Sequence, residues 1–250
     1  MNITPNVHAM IVAAGRGSRF GASIAKQYTM LQGQTLLQHS VARLASSTYI
    51  DRCLLVVAAD DSTAQTLNFA LPIHYAMGGA ERWQSVQAGV KAIIEAGATT
   101  QIWLLFMMLR VLRSPVMILK RSSKRRCSLW RYLSDTGGHF KGVLSPVYRS
   151  IACRDPVVNL TVSSSPHSYA KCTIDRRHMW QAQTPQVFRL GQLQKVLTYV
   201  AEHELTITDE ASAFECLELP IRLVTGSRQN IKLTYPDDAI LLAAIMNAQF

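Results

Sequence analysis

Short apolar runs alternate along the chain with segments in which apolar residues recur at helical spacing. The runs predict strands over residues 7–13, 53–59, 73–76, 102–106, 221–224 and 231–233. Helices are predicted from Thr35, after the capping residues 60–62, over 81–96 and 208–217, and from Pro236 to about residue 248. The first helix has one apolar face, formed by Leu36, Leu37, Ser40, Val41 and Leu44. This alternation indicates an open, mostly parallel sheet with helices on both faces.

Length and composition fit a globular α/β protein. The chain has 250 residues, of which 48% are hydrophobic and 17% charged. The uncharged, apolar-leaning stretch of residues 96–109 has 14 residues, whereas a membrane-spanning helix needs about 20. The five cysteines include no C-x-x-C pair, which argues against a disulfide framework and a zinc site. Since the sequence also shows no signal-peptide pattern, we expect a reduced cytoplasmic protein that does not bind membranes.

The net charge of +10 comes from one part of the chain. Residues 106–154 contain eleven Lys or Arg and a single acid, Asp135, while the remainder is neutral. A basic segment of this kind is typical of an RNA- or DNA-binding patch. A solvated basic loop fits poorly, because Leu, Met and Trp are interleaved with the charges without periodicity.

The loop after the first predicted strand is the place to seek chemistry, because ligands of such sheets bind beyond the carboxyl ends of the strands. It contains Gly15 and Gly17 together with the cations Arg16, Arg19 and Lys26. Glycines let backbone N–H groups approach phosphate oxygens, and cations neutralise them. The loop matches neither a Walker A motif nor a full G-x-G-x-x-G. Taken by itself, it leaves phosphate binding and an ordinary glycine turn open.

Together with the residues after it, the loop resembles a known signature. Residues 13–19 (AAGRGSR) and 26–28 (KQY) resemble the nucleotidyltransferase pattern A-A-G-x-G-x-R … P-K-Q-Y. Further blocks are GGAER at 78–82, TIDR at 173–176, QTPQ at 183–186, TITDEAS at 206–212 and NIK at 230–232. In this order they resemble the 2-C-methyl-D-erythritol 4-phosphate cytidylyltransferases of isoprenoid biosynthesis. The resemblance covers about residues 7–105 and 171–245.

This resemblance implies a fold and a reaction. The expected fold is a three-layer α/β/α Rossmann-like nucleotidyltransferase fold with a mostly parallel sheet, formed by residues 1–250 as one domain. A dimerisation arm is expected within about residues 145–177, so the resemblance implies a homodimer. In the implied reaction, a phosphate oxygen of methylerythritol phosphate attacks the α-phosphorus of CTP, and pyrophosphate leaves. Mg²⁺ is the implied cofactor.

The resemblance also implies roles for individual residues. The nucleotide would be bound by Ala13, Ala14, Gly15, Gly17, Gly79, Ala80 and Ser85. The implied catalytic residues are Arg19, Lys26, Arg176 and Lys232. The second substrate would be bound by Thr184, Thr208 and Arg176, with Arg176 reaching the partner's site. Thr208 and the two acids after it also fit the start of a helix.

The chain departs from the family pattern after Phe106. The family has V-H-D-A-A-R-P there, with an aspartate that helps to hold Mg²⁺, whereas this chain has Met108 at the aspartate's place and so no assigned metal ligand. Codons for H-D-A-A-R-P, read one base later, encode Met-Met-Leu-Arg-Val-Leu, the sequence at 107–112. We therefore predict a frameshift near residue 106 that is restored between about Gly138 and Cys172. It would explain the confined charge and leave the structure of residues 106–170 uncertain.

Three alternatives to the implied function remain. A related enzyme would act on another polyol phosphate, such as ribitol 5-phosphate. An inactive remnant would bind the nucleotide without metal-dependent turnover. The third alternative, a nucleic-acid-binding protein, is supported by the basic segment alone. Because the frameshift explains the charge of that segment, we expect no nucleic-acid partner.

Overall fold

The fold is described from a computed structural model, which describes residues 7–15, 25–107, 139–146, 180–181, 183–227 and 229–248. The strands are β1 (Val7–Val12), β2 (Met30–Leu31), β3 (Gln34–Thr35), β4 (Cys53–Val57), β5 (Ile73–Met77), β6 (Trp103–Met107), β7 (His139–Pro146), β8 (Trp180–Gln181), β9 (Gln186–Arg189) and β10 (Ile221–Thr225). The helices are α1 (Leu36–Ala45), α2 (Thr63–Thr66), α3 (Arg82–Glu95), α4 (Leu190–Glu202), α5 (Glu210–Cys216) and α6 (Asp238–Asn247), with a 3-10 helix at Lys26–Tyr28.

A mostly parallel sheet organises these elements. Its strand order is β10-β7-β9-β6-β1-β4-β5, and β8 pairs with β7 beside this row. Strands β6, β1, β4 and β5 are parallel to one another, with Met10 of β1 opposite Leu54 of β4 and Phe106 of β6. Strand β9 runs antiparallel to β6 and β7, and β10 is parallel to β7. The mostly parallel sheet predicted from the sequence is confirmed.

Helices cover both faces of the sheet. Ile11 and Leu55 point to one face, where they pack in a core with residues of α1 and α6. Met10 and Val56, their neighbours along the strands, point to the other face and pack with residues of α3, α4 and α5. This alternation arises from the two-residue repeat of a strand. The expected three-layer α/β/α arrangement is therefore present.

Helix α1 shows how closely local sequence determines structure here. The Thr35 hydroxyl accepts the Gln38 N–H at 3.2 Å, and the Gln38 side chain accepts the Thr35 N–H at 2.9 Å, a reciprocal capping box. The buried residues of the helix are Leu36, Leu37, Ser40, Val41 and Leu44, the predicted apolar face. Both the start and the orientation of the helix are confirmed.

The predicted strand at residues 231–233 is wrong. Only Lys232 forms an isolated bridge there. The preceding backbone turns tightly, with the Asn230 N–H donating to the Ser227 carbonyl at 3.1 Å and the Ile231 N–H to the Gln229 carbonyl at 2.8 Å. These backbone groups are bonded within the turn, and residues 231–233 form no strand.

The dimerisation arm and any membrane-spanning helix can be examined only within the described residues. Of the interval 145–177, where the arm is expected, the structure describes residues 145 and 146, at the end of β7. The arm therefore stays a prediction. None of the helices within the described ranges is long and apolar enough to cross a membrane.

A glycine sets the distance between α3 and the sheet. Gly89 is buried, and a Cβ at this position would overlap the Met10 sulfur and lie 2.9 Å from Cγ2 of Val56. Both neighbours are fully buried, so neither has free space to move into. The absent side chain therefore lets the helix approach β1 and β4 closely.

We expect Gly89→Ala to lower the free energy of unfolding by about 1–3 kcal/mol, because overpacking outweighs the gain in helix propensity. Urea denaturation measures the change. Lys91→Ala on the same helix is the control, since the Lys91 side chain is 75% exposed; we expect it to stay within about 0.5 kcal/mol. Equal stability of the Gly89 variant would show that α3 can shift without cost.

Candidate active site

Two loops meet at the carboxyl end of β4. The Ala13 N–H, after β1, donates to the Val56 carbonyl at 2.8 Å, and the Gly78 N–H, after β5, donates to the Val57 carbonyl at 2.8 Å. A Cβ on Gly78 would lie 2.5 Å from the Cβ of Ala14, so the loops touch without room for a side chain. The segments expected to bind the nucleotide, 13–15 and 79–80, are therefore adjacent.

Ser85 holds the turn that leads into α3. This residue is 2% exposed, and its hydroxyl accepts the Gly79 N–H at 3.1 Å and lies 3.2 Å from the Glu81 carbonyl. Gln84 accepts the Glu81 N–H at 2.8 Å and fixes the same turn. Gly79 and Ala80 themselves are exposed. The Ser85 hydroxyl thus supports the loop from its buried side, while Gly79 and Ala80 stay exposed to solvent.

The 3-10 helix is fixed by its two residues next to Lys26. Gln27 is 3% exposed and donates from Nε2 to the Ala13 carbonyl at 3.0 Å. The Tyr28 hydroxyl donates to the Asp61 carboxylate, with both oxygens at 2.6 Å. Burial and then this hydrogen bond raise the pKa of Tyr28, so the phenol stays protonated as the donor. Lys26 is therefore positioned beside the loop after β1.

A second group of predicted residues lies around Asn230. Its side-chain Nδ2 donates to Gln183 Oε1 at 3.1 Å and to the Thr184 carbonyl at 2.8 Å. Thr184 is 4% exposed, and Lys232, two residues beyond Asn230, is half-buried. Asn230 therefore brings together the segments of Thr184 and Lys232, both of which were predicted site residues.

Thr208 is exposed at the start of α5, whose first turn is firmly held. Asp209 is the N-cap, and its carboxylate accepts the Ser212 N–H at 2.8 Å. Its other oxygen accepts Nε2 of Gln186 at 3.2 Å. Gln186 lies two residues after Thr184, so the Thr184 and Thr208 segments are joined. The predicted helix start at residues 208–210 is confirmed, with Asp209 as the cap.

An ion pair connects the two groups of residues. Nε and Nη2 of Arg82 donate to the two carboxylate oxygens of Glu210 at 3.1 and 2.6 Å. Glu210 is fully buried, and the Arg82 guanidinium lies 5.3 Å from the centre of the Phe106 ring. Burial opposes the charge on Arg82, but attraction and hydrogen bonding by Glu210 outweigh it and raise the pKa of Arg82.

Five connecting side chains belong to the motif blocks, but the sequence predicted no partners for them: Gln27, Arg82, Gln186, Glu210 and Asn230. Each of these side chains connects segments far apart in the chain. A signal was present in retrospect, because a polar or charged residue inside an otherwise buried block needs a partner. The sequence does not say which partner.

Four of the predicted positions lie outside the described residues: Gly17, Arg19, Met108 and Arg176. Their roles stay predictions. In the part of the chain that is described, no group of three or more His, Cys, Asp or Glu side chains is placed to hold a metal ion. These residues do not fit a resident Mg²⁺ site, and we derive no step through one.

Known proteins share this fold. The family model for 2-C-methyl-D-erythritol 4-phosphate cytidylyltransferase matches residues 7–108 and 155–248. The chain belongs to this family. The family's enzymes from Psychrobacter cryohalolentis and Psychrobacter arcticus are each 60% identical to it, covering 100% of this chain and 95% and 94% of their own lengths. The crystal structure of a 4-diphosphocytidyl-2C-methyl-D-erythritol synthase aligns with a TM-score of 0.71 at 26% identity, covering 98% of this chain and 100% of that one.

These matches confirm the predicted resemblance, the cytidylyltransferase class and the nucleotidyltransferase fold. The family match is interrupted between residues 108 and 155. All eleven basic residues of the charged segment lie in that interval. The anomalous charge and the loss of family resemblance therefore coincide, as a frameshift predicts, and the frameshift itself stays a prediction.

One glycine from each of the two adjoining loops should respond differently to alanine. Gly78→Ala places a methyl group against Ala14 and the Ser85 hydroxyl, which would lie 2.8 Å away, so we expect a loss of about 1–3 kcal/mol in unfolding free energy. Gly15→Ala meets nothing within 4 Å and is the matched control, expected within about 0.5 kcal/mol. Chemical denaturation of both variants tests this. Equal stabilities would mean that the two loops do not pack as closely as described.

Proposed function

We propose that the chain transfers CMP from CTP to 2-C-methyl-D-erythritol 4-phosphate, a step in the synthesis of isoprenoid precursors. A phosphate oxygen of the acceptor forms a bond to the α-phosphorus of CTP. The bond from that phosphorus to the bridging oxygen breaks, and pyrophosphate leaves with the electron pair. The observation that carries the proposal is the contact of the two glycine loops at the end of β4, in a chain of this family.

The nucleotide would lie across those two loops. Gly15, Gly79 and Ala80 are exposed, so phosphate and base can reach both loops, although the N–H and the carbonyl of Gly79 are both bonded to the Ser85 hydroxyl. Lys26, held beside the first loop by its neighbour Gln27, would face the triphosphate. A fixed cation at this point stabilises the charge that develops on the phosphates in the transition state. Arg19 has the same role in the proposal.

The second substrate would approach from the Asn230 side. Thr208 is exposed, and the Thr184 and Lys232 segments are held together beside it. Hydroxyl and ammonium groups suit a phosphate and a polyol. We assign Lys232 to charge stabilisation and Thr184 and Thr208 to acceptor binding. Arg176 from the partner in a homodimer completes the proposed site.

In the proposal, a divalent cation binds only together with the triphosphate of CTP and is not a resident ion of the protein. Mg²⁺ in such enzymes is typically bound by one or two carboxylates and by substrate phosphates. Here the family's aspartate is replaced by Met108, whose thioether is a poor ligand for this hard ion. This replacement favours a second candidate function, a nucleotide-binding protein that has lost metal-dependent turnover.

Pyrophosphate release distinguishes these functions. With Mg²⁺ present, we expect release from CTP to require methylerythritol phosphate, and ribitol 5-phosphate not to replace it. If this chain binds CTP without releasing pyrophosphate, and a chain whose reading frame is restored between residues 106 and 170 does release it, the protein is a nucleotide-binding remnant of an active enzyme. No release by either chain would contradict the assignment.

Gly15→Ala should separate nucleotide binding from stability. Its methyl group occupies space that is open in the protein but would be needed by a phosphate approaching the backbone. We expect CTP affinity, measured by titration calorimetry, to fall at least tenfold. Glu95→Gln, at the far end of α3, is the control and should bind CTP as the unchanged chain does. Unchanged affinity in the Gly15 variant would remove this loop from the phosphate site.

A further inference from the structure

We propose that Arg82 and Glu210 are a positioning pair that holds the nucleotide loop and the acceptor loop of the site in register. This inference rests on the proposed function and adds a role for two residues that touch neither substrate in it. The pair joins positions 128 residues apart in the sequence.

The location of the pair suits this role. Arg82 is the first residue of α3 and comes shortly after the exposed Gly79 and Ala80. Glu210 is the first residue of α5, two positions after Thr208. The ion pair therefore connects the beginnings of the two helices that carry the two binding loops.

Stability alone does not account for the pair. Glu210 is completely buried, whereas Arg82 lies against Phe106 with 30% of its side chain exposed, so the carboxylate is removed from water and the guanidinium partly so. The desolvation of a buried pair commonly cancels its attraction, and apolar residues of similar volume are often as stable. Arg82 also stands at the amino end of α3, where the helix dipole disfavours a positive charge. What the pair supplies is a defined geometry, because two parallel N–H···O bonds fix both distance and orientation.

That geometry reaches the binding loops through short connections. On one side, Ser85 and Gln84, in the first turn of α3, bond to the backbone of Gly79 and Glu81. On the other side, Asp209 caps α5 next to Thr208. A shift of either helix start would therefore move the exposed groups of its loop.

The test replaces the pair with apolar residues of similar size, Arg82→Met with Glu210→Leu. We expect the unfolding free energy to equal or exceed that of the unchanged chain, while CTP affinity falls about tenfold. The matched control is Lys91→Met with Glu95→Leu, which removes an exposed pair from the same helix, at 75% and 65% side-chain exposure. It should leave CTP affinity unchanged. Urea denaturation and titration calorimetry with CTP provide the two measurements.

A second variant, Arg82→Lys, keeps the charge but removes the planar fork, and we expect it to weaken CTP binding at least threefold. CTP affinity within twofold of the unchanged chain in both variants would overturn the positioning role. A double variant that no longer folds would also overturn it, because the pair would then contribute stability. If the unchanged chain bound no CTP, the proposed function would fail and the positioning role with it.

Discussion

The end of β4 is the constraint on which the site depends. The last two carbonyls of this buried strand, those of Val56 and Val57, each accept an N–H from the loop after a neighbouring parallel strand. Because parallel strands end at the same edge of a sheet, two loops distant in sequence are brought to one place. The contact between Ala14 and Gly78 then leaves no space for a side chain between them.

Buried amides extend this constraint beneath the exposed loops. Gln27 fixes the carbonyl of Ala13, Gln186 fixes Asp209, and Asn230 fixes the carbonyl of Thr184. A buried polar group that loses its partner costs about 1–3 kcal/mol, more than the net gain of one hydrogen bond, so each contact favours one arrangement of the segments that it joins. The solvent-exposed loops are thus held by buried hydrogen bonds, and moving the loops would break these bonds.

Local rules account for the parts of the fold that the sequence predicted. The cap at Thr35 and the spacing after it determine α1, and the apolar runs determine β1 and β4. Helix α4 was not predicted, although Leu190, Leu193 and Val196 have helical spacing. Strand β9 is only four residues long and comes directly after a proline, so no local pattern predicted it. The motif blocks predicted the candidate loops. The pairing of Arg82 with Glu210 could not be predicted in this way, because it depends on the folded topology.

The order of strands along the chain has a consequence for how the protein is made. The parallel strands β1, β4, β5 and β6 all come from residues 7–107, whereas β9, which covers the other side of β6, begins at Gln186. During synthesis, the β6 edge therefore stays open while the interrupted family region is translated. Unpaired strand edges are templates for association. A chain that stalls on the ribosome in this interval exposes Leu104 and Phe106, two of the most buried residues of the finished protein, to pairing with another copy.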